Sequence, residues 1–143
     1  MDAVATFVEA ATVCISATQA EGKVDPSAIG KQGWATLRFT KPTIGELVFV
    51  KGPEEQPVIL MLKVAKKVSC TVRSQVPENA TPETASKIFE ETVSGLEVAL
   101  GRKAKLTSDG AEYLRNGADP RESEVNLISD GKDLMLVVGS LPY

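Results

Sequence analysis

Two stretches of the chain repeat their apolar residues at spacings of three and four, which is the period of an amphipathic helix. The first covers residues 3–20, with Asp2 placed as its N-cap. The second covers residues 81–101, where Thr81-Pro82-Glu83 is typical of a helix start and Gly101 of a helix end. The pattern therefore predicts two main helices.

Shorter segments alternate apolar and polar residues or are apolar throughout, which indicates β-strands. Seven such segments are predicted, at residues 46–51, 58–64, 68–76, 104–107, 111–114, 124–128 and 134–138. Their connections are short and include Asp-Gly turns, so neighbouring strands should be antiparallel. Residues 22–43 are predicted to be irregular, apart from a helical turn at 25–29 that Asp25 caps.

Together these elements predict an α+β fold over a single domain, residues 1–143. We expect one antiparallel sheet of about six strands with both main helices packed on one face, in the order α-βββ-α-βββ. Residues 58–64 are apolar on both sides for much of their length, which is typical of a central strand. A chain of 143 residues, 43% of them hydrophobic, forms such a core without a metal or disulfide.

The chemistry available to the chain is limited, because it contains no histidine. This excludes the commonest general base, the Ser-His-Asp and Cys-His nucleophile systems, and every metal site that needs histidine. Glycine-rich phosphate loops and the nucleophile-elbow motif are missing as well. We predict no catalytic residue, no cofactor and no metal. The alternative is an enzyme that uses carboxylates, a lysine, Tyr113 or Tyr143 in a cleft.

Charge is unevenly distributed along the sequence, although the net charge is only −3. Residues 22–75 carry nine Lys/Arg against four Asp/Glu, whereas residues 76–143 carry seven against twelve. One interpretation is a basic face for an anionic partner, and the other is two halves that complement each other within one fold. No Lys/Arg run exceeds two residues and the basic segment has few aromatics, so we expect no nucleic-acid binding. No apolar run is long enough to span a membrane.

Three residues are candidates for contact with a partner: Trp34, Ile59 and Met61. Ile59 and Met61 fall on the sheet face predicted to lack helices, together with Val137, and apolar side chains there mark a protein-partner or dimer surface. Trp34 is either a core anchor or a partly exposed binding aromatic. We therefore expect a non-enzymatic binding, accessory or inhibitor-type protein. The alternative is a structural, self-assembling subunit, which the charge-poor first helix favours.

The two cysteines, Cys14 and Cys70, form no C-x-x-C motif and are too few for a zinc site. Cys14 lies on the apolar side of the first helix and Cys70 on the apolar side of its strand, so the two can meet. They are either one disulfide or two buried thiols.

Four landmarks in sequence order carry a resemblance to known proteins: Cys14, Gly33-Trp34, Cys70-Thr71-Val72 and Leu100-Gly101. With the order of elements, they resemble small α+β proteins of alphaproteobacteria, some of which are exported. The resemblance implies no activity or catalytic residue, and it favours the disulfide. We expect a periplasmic location if Cys14 and Cys70 form a disulfide, and a cytoplasmic one otherwise.

Overall fold

The computed structural model describes residues 2–19, 26–39, 46–64, 68–114, 124–130 and 132–139. These residues contain three helices, which are α1 (Ala3–Gln19), α2 (Pro26–Lys31) and α3 (Pro82–Leu100). They also contain eight strands, which are β1 (Ala35–Phe39), β2 (Glu46–Lys51), β3 (Val58–Val64), β4 (Val68–Gln75), β5 (Ala104–Thr107), β6 (Gly110–Tyr113), β7 (Glu124–Ser129) and β8 (Asp133–Gly139).

All eight strands belong to one sheet, in the order β1-β2-β3-β4-β8-β7-β6-β5, and every neighbouring pair is antiparallel. Each half is a meander of four consecutive strands. The halves meet where β4 pairs with β8 over seven residue pairs, from Ser69↔Gly139 to Gln75↔Asp133. The predicted α+β class and single antiparallel sheet are confirmed. The predicted count of about six strands and the order α-βββ-α-βββ are wrong, because the chain runs α-α-ββββ-α-ββββ.

The strand that the sequence pattern missed is β1, which lies inside the segment predicted to be irregular. Its pairing with β2 shifts register between Thr36 and Arg38. Such a bulge inserts one extra residue and breaks the alternation on which strand prediction depends. The predicted turn at 25–29 corresponds to α2, which begins at Pro26. Its predicted cap, Asp25, lies outside the described residues.

Local capping explains where the two long helices begin and where α3 ends. The Val4 N–H donates to Asp2 Oδ1 over 2.9 Å, and the Thr84 N–H donates to Thr81 Oγ1 over 3.1 Å. Gly101 adopts φ +63°, a left-handed conformation that glycine tolerates best, and its N–H donates to the Glu97 carbonyl over 3.0 Å. Both helix starts and the α3 stop agree with the sequence prediction.

One cross-strand row shows that both long helices lie on the same face of the sheet. The row consists of Cys70, Val138, Val125 and Tyr113. Cys70 is bonded to Cys14 of α1, and the Tyr113 hydroxyl donates to the Val93 carbonyl of α3 over 3.0 Å. Both helices therefore contact side chains of one alternating set, and the core lies between this face and the helices.

Small residues let α1 pack closely against its neighbours. Ala10 and Ala11 are fully buried, and a Cβ added to Gly95 of α3 would lie 3.0 Å from Val8 Cγ2. Thr6 and Thr18 are buried as well. The sheet and α3 thus cover one side of α1, whereas Ala5, Thr12 and Ser16 on its other side are exposed.

Candidate interaction surface on the open face of the sheet

We call the side of the sheet away from α1 and α3 the open face. Strand β3 shows the difference between the two sides. Leu60 and Leu62 point towards the helices and are fully buried, whereas Ile59 and Met61 point the other way and are half-buried. None of the described elements packs over the open face.

Two neighbouring cross-strand rows on the open face are largely apolar. One row runs from Val48 through Met61 and Thr71 to Val137, and the other runs from Val50 through Ile59, Arg73 and Met135 to Ile128. Ile128 is 38% exposed, and the other apolar members are half-buried. We call these seven apolar residues the apolar patch: Val48, Val50, Ile59, Met61, Ile128, Met135 and Val137.

The dimensions of a sheet give the size of the apolar patch. Its seven positions, each about 4.8 Å by 6.8 Å, give an area on the order of 230 Å². Thr71 and Arg73 of β4 divide the patch into a part on β2 and β3 and a part on β8 and β7. Removing this area from water is worth roughly 6 kcal/mol before the costs of association. The patch is therefore large enough to form the centre of an interface.

Charged residues of both signs lie on the open face. Lys63 of β3 is exposed beyond one end of the apolar patch and is paired in register with Glu46 of β2. Arg73 of β4 is exposed inside the patch, in the second of the two rows. Glu112 of β6 is exposed on the side of β5, where it is paired in register with Lys105. Basic and acidic residues are thus neighbours on this face and do not form separate basic and acidic sides.

Of the three predicted contact residues, Ile59 and Met61 lie on the apolar patch, in one strand and two positions apart. Trp34 lies elsewhere. It is 3% exposed and belongs to the core, with the Lys51 ammonium 5.8 Å from its ring centre. Lys51 is held there by Glu9 of α1, at 2.8 Å from Oε1. The Trp34 ring is therefore part of the closed side of the molecule and not of the open face.

Sequence reasoning missed most of the apolar patch, although a usable signal was present. Residues 47–50 and 134–138 are uninterrupted apolar runs, like residues 58–62. An uninterrupted run places apolar side chains on both faces of a sheet. Val48, Val50 and Met135 follow from that rule once these segments are known to be strands.

A second concave region lies at the other end of the molecule, beside the first half of α3. It is a cleft of about 880 Å³ between α3, the β4–α3 connection and the β5–β6 and β7–β8 turns. Phe89 and Leu106 give it apolar walls, and Glu78, Asp109 and Asp133 line it as well. Among the described residues, no group of three or more His, Cys, Asp or Glu side chains comes together to hold a metal ion.

The side chains with displaced pKa values do not line this cleft. Burial, and secondarily the charge of Glu97, raises the pKa of Tyr113 above its ordinary value. The backbone N–H groups of Asp133 and Lys132 donate to Asp130 and lower the pKa of that carboxyl. Both groups have structural partners. The other tyrosine considered for catalysis, Tyr143, lies outside the described residues.

Of the two alternatives left open for the cysteines, the structure has the disulfide: Cys14 and Cys70 are bonded, with their Cα atoms 5.4 Å apart. The bond closes a sequence separation of 56 residues and ties α1 to β4. The chain-entropy treatment gives a contribution of about 4 kcal/mol for a loop of this length. The disulfide therefore fixes α1 to the face of the sheet that α3 also contacts.

Comparison with known proteins adds no family to this description. No family model matches the chain, and the searches of curated proteins and of solved structures give no match. None of the described helices is long and apolar enough to cross a membrane.

Proposed function

We propose that this is a binding protein without catalytic activity, and that it acts through the open face of its sheet. The observation that carries the proposal is the apolar patch, which the described elements leave uncovered. A single chain gains stability by burying one face of a sheet and has no need of apolar residues on the other. Apolar residues there are explained if a protein partner covers them.

Several features support binding over catalysis. The chain has no histidine, which removes the side chain that most often transfers protons at neutral pH. The carboxylate of Asp133, which lines the cleft beside α3, lies 3.6 Å from the Arg73 guanidinium instead of facing a second carboxylate. The Tyr113 hydroxyl is buried and donates to a helix carbonyl. The Tyr113 hydroxyl thus has a structural partner in place of a substrate, and Oδ2 of Asp133 faces a guanidinium.

We further propose that the protein works in an oxidising compartment, such as a bacterial periplasm. Structural disulfides persist in such compartments and are rare where glutathione keeps thiols reduced. The resemblance to alphaproteobacterial proteins, some of which are exported, supports the same location. Alkylation of the denatured, unreduced protein should leave both cysteines unmodified when it is isolated from its native compartment. Two alkylated thiols would contradict this location.

Methionine oxidation tests whether the open face binds a partner. Met61 and Met135 lie on the apolar patch, and peroxide oxidises accessible methionines. We expect both to react in dilute purified protein and to be protected by at least about tenfold in the compartment where the protein works. A Val98→Met variant supplies the reference, because Val98 of α3 is 85% exposed and lies away from the open face. Equal oxidation of Met61 and Met135 in both settings would refute the proposal.

A further inference from the structure

We infer that a second binding site lies at the β5 edge of the sheet, where an extended peptide segment adds as a further strand and directs one apolar side chain towards the cleft beside α3. This site is separate from the open face, so the inference goes beyond the proposed function and does not depend on it. Two observations carry it, which are the unpaired backbone groups of Leu106 in β5 and the exposed Leu106 side chain at the wall of the cleft.

The backbone of β5 has hydrogen-bonding groups that the sheet does not use. β5 is the outermost of the described strands on its side of the sheet and pairs only with β6. Just before β5, the Leu114 N–H donates to the Lys103 carbonyl over 2.9 Å. Bonded and non-bonded residue pairs alternate along antiparallel strands. Every second residue from Lys103 onwards therefore bonds to β6, whereas the N–H and C=O groups of Ala104 and Leu106 point away from the sheet.

The chain closes the first of these outward positions and leaves the next one open. The Ala104 N–H donates to Glu97 Oε2 of α3 over 3.2 Å. Among the described residues, no hydrogen bond engages the N–H or the C=O of Leu106. An outward N–H and C=O on one residue are complementary to the C=O and N–H of one residue in an added antiparallel strand. The free groups therefore favour an extended peptide over a ligand without amide groups.

The opposite edge of the sheet is protected in a way that β5 is not. Strand β1 shifts register between Thr36 and Arg38, and a bulge of this kind turns an edge away from a further strand. Strand β5 pairs with β6 in unbroken register from Ala104 to Thr107. Of the two edges, β5 is therefore the one whose backbone is regular enough to accept a strand.

The Leu106 side chain provides the second observation. Leu106 shares a cross-strand row with Ala111, Leu127 and Leu136, on the face of the sheet that the helices cover. These three partners are at most 2% exposed, whereas Leu106 is 68% exposed. Leu106 therefore belongs to the core side of the sheet by its register, but the described elements leave it uncovered.

The cleft of about 880 Å³ lies beside this uncovered residue. Leu106 lines the cleft from β5, and the half-buried ring of Phe89 lines it from α3. An added strand would lie about 4.8 Å from β5, and its residue opposite Leu106 would point to the same side of the sheet. That side chain is therefore directed towards the cleft, and the volume of the cleft is within the range of about 300–1,000 Å³ that is usual for binding pockets. We expect the side chain to be large and apolar, because Leu106 and Phe89 provide apolar contacts.

Short peptides test the inference on the full chain. The probes are peptides of the form acetyl-Thr-Thr-X-Thr-Thr-amide, in which X is Val, Leu, Met, Phe or Trp, and a comparison peptide in which X is Ser. In nuclear magnetic resonance spectra of the protein, peptides with an apolar X should change the chemical shift of the Leu106 N–H and slow its hydrogen exchange. Their dissociation constants should be about 0.1–1 mM, since one residue pair and one side chain are engaged. The Ser peptide should bind about tenfold more weakly, because it buries less apolar surface.

N-methylation distinguishes an added strand from a ligand that is held by its side chain alone. Methylation of the X nitrogen removes the N–H that donates to the Leu106 carbonyl, and it should weaken binding at least about tenfold. The matched control is methylation of the next nitrogen in the peptide, which points away from β5. This change should alter the dissociation constant by less than about threefold.

A substitution on the protein tests the apolar wall of the cleft. Leu106→Asp should weaken binding of the peptides with an apolar X at least about tenfold, because it places a charge against their side chain. The matched control is Val98→Asp on α3, where Val98 is 85% exposed and does not line the cleft, and it should leave binding unchanged. The near-ultraviolet signal of buried Trp34 verifies that both variants are folded.

Three results would overturn the inference. The first is that no peptide with an apolar X binds up to about 5 mM. The second is binding that methylation of the X nitrogen leaves unchanged, which would mean that the cleft takes an apolar ligand without an added strand. The third is slowed exchange of the Leu106 N–H in the free protein as its concentration rises, which would make a second copy of the chain the occupant. None of these results concerns the open face, so the methionine-oxidation experiment tests the proposed function separately.

Discussion

The two faces of this sheet consist of the same strands and both carry apolar residues, yet the described helices cover only one of them. On the closed face, α1 and α3 bury the side chains, a disulfide ties α1 to β4, and the Tyr113 hydroxyl bonds to α3. On the open face, Ile59 and Met61 keep part of their surface in water. Apolar character alone therefore does not identify the core of this protein. What distinguishes the two faces is whether another element of the chain covers them.

Removal of the disulfide, which acts on the closed face alone, should produce the largest change in the free energy of unfolding. The double variant Cys14→Ala/Cys70→Ala should lower the free energy of unfolding by about 4 kcal/mol, mainly by freeing the unfolded chain. Urea unfolding of the oxidised wild type and the variant measures the loss. A reductant should lower the free energy of unfolding of wild type to a value close to that of the variant, and it should leave the value of the variant unchanged. A reductant effect on the variant would mean that something other than the disulfide is responsible.

The next test compares the two faces within a single strand. Leu60→Ala should cost about 3 kcal/mol, since the site is fully buried and leaves a cavity. Met61→Ala should cost less than about 1 kcal/mol, because the side chain is half-buried on the open face. Both are measured by urea unfolding at a concentration where the chain is monomeric. Equal losses would show that the open face belongs to the core of the monomer, contrary to the proposed binding role.

A smaller effect is expected for Tyr113→Phe, which removes the hydroxyl that links the closed face to α3. The loss should be about 1 kcal/mol at neutral pH, the usual net value of one hydrogen bond. Because burial holds the folded pKa of Tyr113 above its unfolded value of 10.0, wild type should lose further stability as the pH rises past 10. The variant lacks this group and should lose less. Urea unfolding of wild type and of the variant at neutral and at alkaline pH measures both effects. If the free energy of unfolding fell equally in both proteins at alkaline pH, the raised pKa of Tyr113 would be contradicted.

The smallest effect is expected at the β7–β8 turn, which belongs to neither face. Hydrogen bonds from two backbone N–H groups lower the folded pKa of Asp130 below its ordinary 3.8. The carboxylate thus contributes stability that is complete above the unfolded pKa and disappears as the pH falls through the folded one. Asp130→Ala should therefore flatten the decline in stability below about pH 4. Thermal unfolding of wild type and of the variant from pH 5 downwards measures this decline. An equally steep decline in both proteins would refute the contribution of Asp130.

Prediction from sequence succeeded where the information was local. Thr81 and Gly101 delimit α3 through hydrogen bonds to residues three or four positions away. The sequence indicated that Cys14 and Cys70 can meet, because each lies on the apolar side of its helix or strand. Ile59 and Met61 were placed correctly because a strand alternates its side chains. Strand β1 was missed because its bulge removes that alternation.

The candidate surface was only partly predictable, since it depends on which strands become neighbours. Met61 and Val137 are far apart in sequence and share a row only because β4 pairs with β8. Lys63 and Glu124 are aligned by the same pairing. No local pattern specifies a contact across about 70 residues, because its formation depends on loop closure and on packing of the whole sheet.

The sequence by itself determined all the elements except β1, the ends of α3, the two cysteines and the imbalance of charge between the halves of the chain, because each depends on nearby residues or on composition. Only the tertiary structure decided the order of the eight strands, the face that the helices cover, and the alignment of Lys63 with Glu124 in one cross-strand row. The physical reason is that an apolar strand with two similar sides is compatible with either side being buried. The helices and the disulfide, packed on one side, determine which side stays open.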